Sequence, residues 1–142
     1  MVQIPGTTII IGNFISGNGA DTDDTATDGP TGININSGGG GSPVRGTIIS
    51  QNVIVNEDED IAVNTPAELD AHLNDLLGGN TGIANVCALD DTACTGSIDA
   101  TENYWGCRAG PRGKGCATTS GSNIRFTPWL KDSVSDEKGG TH

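Results

Sequence analysis

Apolar and polar positions along the chain alternate in short runs, and three of these runs align on one another. They are Thr8-Ile9-Ile10-Ile11-Gly12-Asn13-Phe14-Ile15, Thr47-Ile48-Ile49-Ser50-Gln51-Asn52-Val53-Ile54 and Ile98-Asp99-Ala100-Thr101-Glu102-Asn103-Tyr104-Trp105. Alternate positions in each (Thr8, Thr47, Ile98, then Ile10, Ile49, Ala100) are apolar or Thr, the period of two that one face of a strand requires. An Asn follows at a fixed offset in all three. Internal similarity of this kind marks a solenoid, in which no repeat can bury its apolar face alone and each must stack on the next. Asn13, Asn52 and Asn103 are expected to lie above one another where the strand turns a corner, each side-chain amide bonding the next coil and tolerating left-handed backbone.

A second strand follows each of the first two corners, Gly32 to Asn36 and Asp60 to Asn64, and Gly82 to Val86 reads as a third of the same kind. Ala20 to Thr31, rich in Asp, Thr and Gly, reads as a loop that protrudes before the first of them. Between the second and third strands the period changes. Thr65-Pro66-Ala67-Glu68 has the form of an N-cap, first-turn proline and capping-box Glu, and Gly78-Gly79 supplies a stop. Leu69, Leu73, Leu76 and Leu77 fall at i, i+4, i+7 and i+8, one apolar stripe, which predicts an amphipathic helix over 65–77 that packs on or caps the coil stack. The expected fold is all-β: a right-handed parallel β-helix of about three coils with that one helix. It forms a single domain over 1–136, with a closing segment over 97–130 and a disordered tail or tag remnant over 137–142.

Composition narrows what such a fold can do. The 142 residues are 34% hydrophobic and 4% aromatic, so the core must be thin. Seven Lys and Arg stand against 18 Asp and Glu, and the net charge of −11 repels phosphate backbones and anionic membranes. Nucleic acid is thereby an unsuitable partner. No apolar run is long enough to span a bilayer, and Met1 opens directly into strand-like sequence with no signal-peptide pattern.

Four cysteines, Cys87, Cys94, Cys107 and Cys116, lie late in the chain. An even count at short spacings suggests disulfides and an oxidising compartment. Of the three connectivities, the local one, Cys87–Cys94 with Cys107–Cys116, closes two short loops of small residues. The spacings do not suit zinc, and His72 is the one histidine inside the expected fold.

The final third of the chain carries a resemblance. Asp99-Ala100-Thr101-Glu102-Asn103-Tyr104-Trp105-Gly106-Cys107-Arg108-Ala109-Gly110-Pro111, then Gly115-Cys116, then Ile124-Arg125-Phe126-Thr127-Pro128-Trp129-Leu130 resembles the closing segment of bacterial right-handed β-helix proteins of the pectate-lyase-like superfamily. The resemblance implies a secreted or cell-surface protein, of which this chain is the C-terminal part. It does not select a function, because surface proteins, adhesins and polysaccharide-active enzymes share this ending. Trp105 and Trp129 are expected to plug the bottom of the coil, and Pro128 to end strand pairing. The opposite edge would be open and able to pair with a second copy of the chain.

Candidate chemistry is sparse. Asp21, Asp23, Asp24 and Asp28 follow the first Asn corner, and Glu57, Asp58, Glu59 and Asp60 follow the second. Stacking would bring Asp21, Asp23, Asp58 and Asp60 to one side as oxygen ligands suited to Ca²⁺, against the plainer reading of a solvated acidic face. Lyases of the resembled superfamily pair Ca²⁺ with a basic residue, yet Arg108, Arg112 and Lys114 lie in the Cys107–Cys116 loop, remote in sequence from the acidic set, and Arg45 stands alone. The expectation is a non-catalytic structural segment with no required cofactor. The alternative is a piece of a carbohydrate-active enzyme or a polysaccharide-binding module.

Overall fold

The computed structural model describes residues 8–19, 30–36, 44–78, 80–85 and 96–135. The first pass of the chain comprises β1 (Ile9–Ile11), β2 (Phe14–Ser16) and β3 (Thr31–Ile35). β4 (Val44–Ser50), β5 (Val53–Val55) and β6 (Glu59–Val63) make the second, and β7 (Ala67–His72), β8 (Asp75–Leu77) and β9 (Thr81–Asn85) the third. A fourth pass has β10 (Ser97–Asp99), a bridge from Tyr104 to Asp75, and β11 (Thr118–Gly121), and β12 (Ile124–Arg125) begins a fifth. Corresponding strands pair in parallel, giving three sheets: sheet A in the order β1-β4-β7-β10-β12, sheet B β2-β5-β8, and sheet C β3-β6-β9-β11. The architecture is all-β, parallel and unclosed, as a stack of coils would be.

The inward faces are rows of equivalent residues. Thr47, Leu69 and Ile98 form one, and Ile10, Ile49, Ala71 and Ala100 the next. Beyond the corner, Ile15, Ile54 and Leu76 form a third that Trp105 extends, and Ile33, Ile61 and Ile83 line sheet C. Ile49, Ile54, Ile61, Leu76, Ile83, Ala71, Ala100 and Trp105 are completely buried. Residue size changes down the stack to keep the thin core filled. Ile gives way to Ala in one row while the facing row grows to an indole, and Gly82 admits that ring, since a Cβ there would sit 2.8 Å from it and 3.1 Å from the Ala117 methyl.

The corner between sheets A and B is the same in the first four passes. Gly12, Gln51, Leu73 and Glu102 have φ of 72°, 57°, 58° and 61° respectively, and an Asn comes next each time. Holding Gln, Leu and Glu in left-handed backbone costs on the order of 1–2 kcal/mol each, so the corner must be held by something else. That something is an Asn ladder of four members, Asn13, Asn52, Asn74 and Asn103. Asn13 donates from its backbone N–H and from Nδ2 to Asn52 Oδ1, both at 3.0 Å. Asn52 does the same to Asn74 Oδ1 at 3.0 and 3.0 Å, and Asn74 to Asn103 Oδ1 at 2.9 and 3.0 Å. Three of the four Nδ2 groups also reach back to the previous pass, Asn52 to the Ile10 carbonyl, Asn74 to that of Ile49 and Asn103 to that of Ala71, while that of Asn13 bonds the Ile11 carbonyl of its own pass.

Asn74 overturns the expected helix. Residues 65–77 run into and through β7 and β8, the third full pass. The leucines are divided: Leu69 points inward from sheet A, Leu76 inward from sheet B, Leu73 occupies the left-handed corner and Leu77 is only half-buried. Two short strands joined at a corner therefore reproduce a helical spacing of apolar residues. Period-two burial at Ala67, Leu69 and Ala71 is the correct pattern, and Thr65-Pro66 leads into a strand, not a helix.

The ladder gives a graded stability test. Asn74→Ala removes the buried acceptor of the Asn52 N–H and Nδ2 and a donor to Asn103 Oδ1, and is expected to cost about 3 kcal/mol in denaturant unfolding. Asn13→Ala, at the exposed end, is expected to cost under about 1 kcal/mol. Equal costs at both positions would contradict the ladder.

Candidate functional site

Among the described residues, three regions carry polar chemistry. The first is the interior near the corner between sheets B and C. Glu57 is completely buried, and its Oε1 accepts from the Asn18 N–H (3.1 Å) and Nδ2 (3.2 Å). Asp60 is 1% exposed, and neither its Oδ1 nor Glu57 Oε2 has a hydrogen-bond partner among the described residues. Desolvation by burial, with the negative charge of Glu57 second, pushes the Asp60 carboxyl from 3.8 up to about 8. A carboxyl that keeps its proton at neutral pH is a poor ligand for Ca²⁺. Of the calcium candidates, Asp58 is exposed while Asp60 is buried, so these two do not share a surface, and Asp21 and Asp23 lie outside the described residues.

The second region is the C-terminal closure. Trp105 is buried, and Phe126 packs edge-on against it with ring centroids 6.5 Å apart. Trp129 lies half-buried outside Phe126 at 6.4 Å, donates from Nε1 to the Arg108 carbonyl at 3.1 Å, and carries the Lys131 ammonium 4.4 Å from its ring centroid. Trp105 is thus the inner member and Trp129 the outer member of this aromatic cluster. Cys107 and Cys116 form a disulfide that closes the loop between them. Cys87 and Cys94 lie outside the described residues. Past Trp129 the chain folds back over sheet B. There the buried Asp75 carboxylate accepts from Ser133 Oγ (2.6 Å), Val134 N–H (2.8 Å), Ser135 N–H (3.2 Å) and Ser135 Oγ (2.8 Å).

The third region is the solvent face of sheet A. Strand register sets Ile9, Ile48, Asp70, Asp99 and Arg125 in one row across five strands, and Ser50 beside His72 in the next. Apolar residues occupy the β1 end and charged ones the middle. Asp70, His72 and Asp99 each offer a ligand atom within 4.8 Å of the others. Glu68, Asp70, Ser97 and Asp99 line a shallow depression of about 270 Å³ next to them. Burial alone would raise the Asp99 carboxyl, but donation from the Thr101 hydroxyl (2.9 Å) and N–H (3.2 Å), then the nearness of His72 and Arg125, leaves it below the ordinary carboxylate range. A carboxyl held low in this way is unsuited to the role of general acid near neutrality.

His72 was expected on a helix, and its real place on the outer face of β7 became legible only with the third pass in register. The signal available was the alternation of Asp70 and His72 with the buried Leu69 and Ala71. Among the described residues, no helix is long and apolar enough to cross a membrane. Compared with protein-family models, curated proteins and solved structures, the chain matches none.

Asp60 makes stability depend on pH in a definite direction. In the unfolded chain this carboxyl ionises near 3.8, so between there and about 8 the unfolded state binds fewer protons and stability falls as pH rises. Asp60→Asn is expected to leave the melting temperature near pH 4 almost unchanged, to raise it at pH 8, and to flatten the profile between them. A variant profile parallel to that of the parent protein would exclude Asp60 as the source.

Proposed function

We propose that this chain is a non-catalytic, C-terminal closing part of a right-handed parallel β-helix in an exported protein, related to the pectate-lyase-like superfamily, and that its open edge associates with a second copy. One observation carries the reading: the two ends of the stack differ. The C-terminal end carries Trp105, Phe126 and Trp129, a disulfide-closed loop, and a final segment anchored on Asp75. At the other end, edge strands β1 and β2 leave Ile9 58%, Ile11 51% and Phe14 72% exposed. A parallel edge that no described strand covers, flanked by apolar side chains, is a template for further strand pairing. The disulfide accords with an oxidising compartment.

Association at that edge is checked by sedimentation over a range of concentrations. The parent chain is expected to self-associate, and the double substitution Ile11→Lys, Phe14→Lys to remain monomeric with an unchanged far-UV spectrum. A parent chain that stays monomeric at every concentration would refute this part of the proposal.

A second reading, a polysaccharide-binding module, draws on the depressions lined by Ser97, Asp99 and Arg125 on the solvent face of sheet A. It requires retention on a neutral or acidic polysaccharide panel, and a folded sample that binds no member of such a panel excludes it.

A further inference from the structure

Asp70, His72 and Asp99 come together on the solvent face of sheet A, where none of them fills the core. Asp70 and His72 are two residues apart on β7 and so share its solvent face, and the parallel register sets Asp99 of β10 directly beside Asp70. Like charges opposed on neighbouring strands destabilise a sheet. A bound cation would reverse the sign of that interaction.

Two features prepare the three side chains as ligands. His72 Nδ1 lies 2.8 Å from the Thr101 carbonyl oxygen. A proton on Nδ1 donates to that carbonyl and leaves the lone pair on Nε2, the arrangement by which backbone carbonyls fix the tautomer of metal-binding histidines. The same Thr101 donates from its N–H and its hydroxyl to Asp99 Oδ1, and Asp99 Oδ2 has no donor among the described residues. Thr101 thus orients two of the three ligands while binding nothing itself.

We propose that Asp70, His72 and Asp99 form a site for a divalent transition cation of the Zn²⁺ class. One imidazole with two carboxylates suits Zn²⁺, Mn²⁺ or Ni²⁺ better than Ca²⁺, which prefers six or more oxygens. Three protein ligands leave coordination positions open toward solvent and the depression lined by Glu68 and Ser97. The ion joins the third pass to the fourth from outside, at the level where Asn74 and Asn103 join them from within. The net charge of −11 favours accumulation of cations around the chain but does not select this place among others.

The test is calorimetric titration of the full chain with ZnCl₂, and with CaCl₂ in parallel, alongside thermal melting. One Zn²⁺ per chain is expected, with a raised melting temperature and no comparable effect of CaCl₂. His72→Ala is expected to abolish that binding, and Asp99→Asn and Thr101→Val each to weaken it by about tenfold or more. His142→Ala, which removes the other histidine, is expected to leave it unchanged. Each variant is first checked for a parent-like circular dichroism spectrum. Should His72→Ala misfold, the His72 ring resonances of the parent chain must shift on addition of one equivalent of Zn²⁺. Absence of Zn²⁺ binding, binding that survives His72→Ala, loss on His142→Ala, or a set of weak sites indifferent to all of these substitutions would overturn the proposal.

Discussion

Each of the first four passes of this chain turns the same corner, and the side-chain amide of the Asn that follows it makes the turn sustainable. Left-handed backbone at Gln51, Leu73 and Glu102 is unfavourable in each pass taken alone. Stacked, Asn52 and Asn74 each accept from one neighbour, donate to the next and satisfy a carbonyl of the pass before, and Asn103 ends the ladder by donating to the Ala71 and Ala100 carbonyls. Asn52, Asn74 and Asn103 are buried, so each of these bonds forms where an unmet partner would be costly. The rows of Ile, Leu, Ala and Trp inside and the parallel ladders between strands depend on the register that these corners set.

That register also explains why surface chemistry gathers where it does. The spacing from one ladder Asn to the next is 39, 22 and 29 residues, so insertions are confined to other corners while sheet A stays aligned across all five strands. Outward residues on neighbouring passes consequently stand side by side whatever their separation in sequence. Asp70 and Asp99 meet in this way, and so do Ile9 and Ile48.

The stacked repeats and their Asn corners were legible because Thr47-Ile48-Ile49 and Ile98-Asp99-Ala100 keep the strand period and the same offset to Asn. Asn74 was not, although Leu69, Ala71 and Leu76 stand at the same offsets from it as Thr47, Ile49 and Ile54 do from Asn52. Four leucines and a Thr-Pro-x-Glu start imitate a helix, and only pairing with β4 and β10 decides between the two patterns. The outer cluster was hidden by the same error, since a helical His72 cannot stand beside Asp99. Asp60 was misread for a different reason. Its place in an acidic run suggests solvent, yet its carboxyl is buried inside the corner between sheets B and C.

The central claim is that residues 65–77 are a third pass stitched by Asn74, and NMR of the full chain tests it most directly. The account requires strand-type backbone shifts over Ala67–His72, a left-handed signature at Leu73, and an Asn74 side-chain amide that exchanges slowly with solvent. Consecutive helical shifts from Ala67 to Leu77, with a rapidly exchanging Asn74 amide, would contradict it.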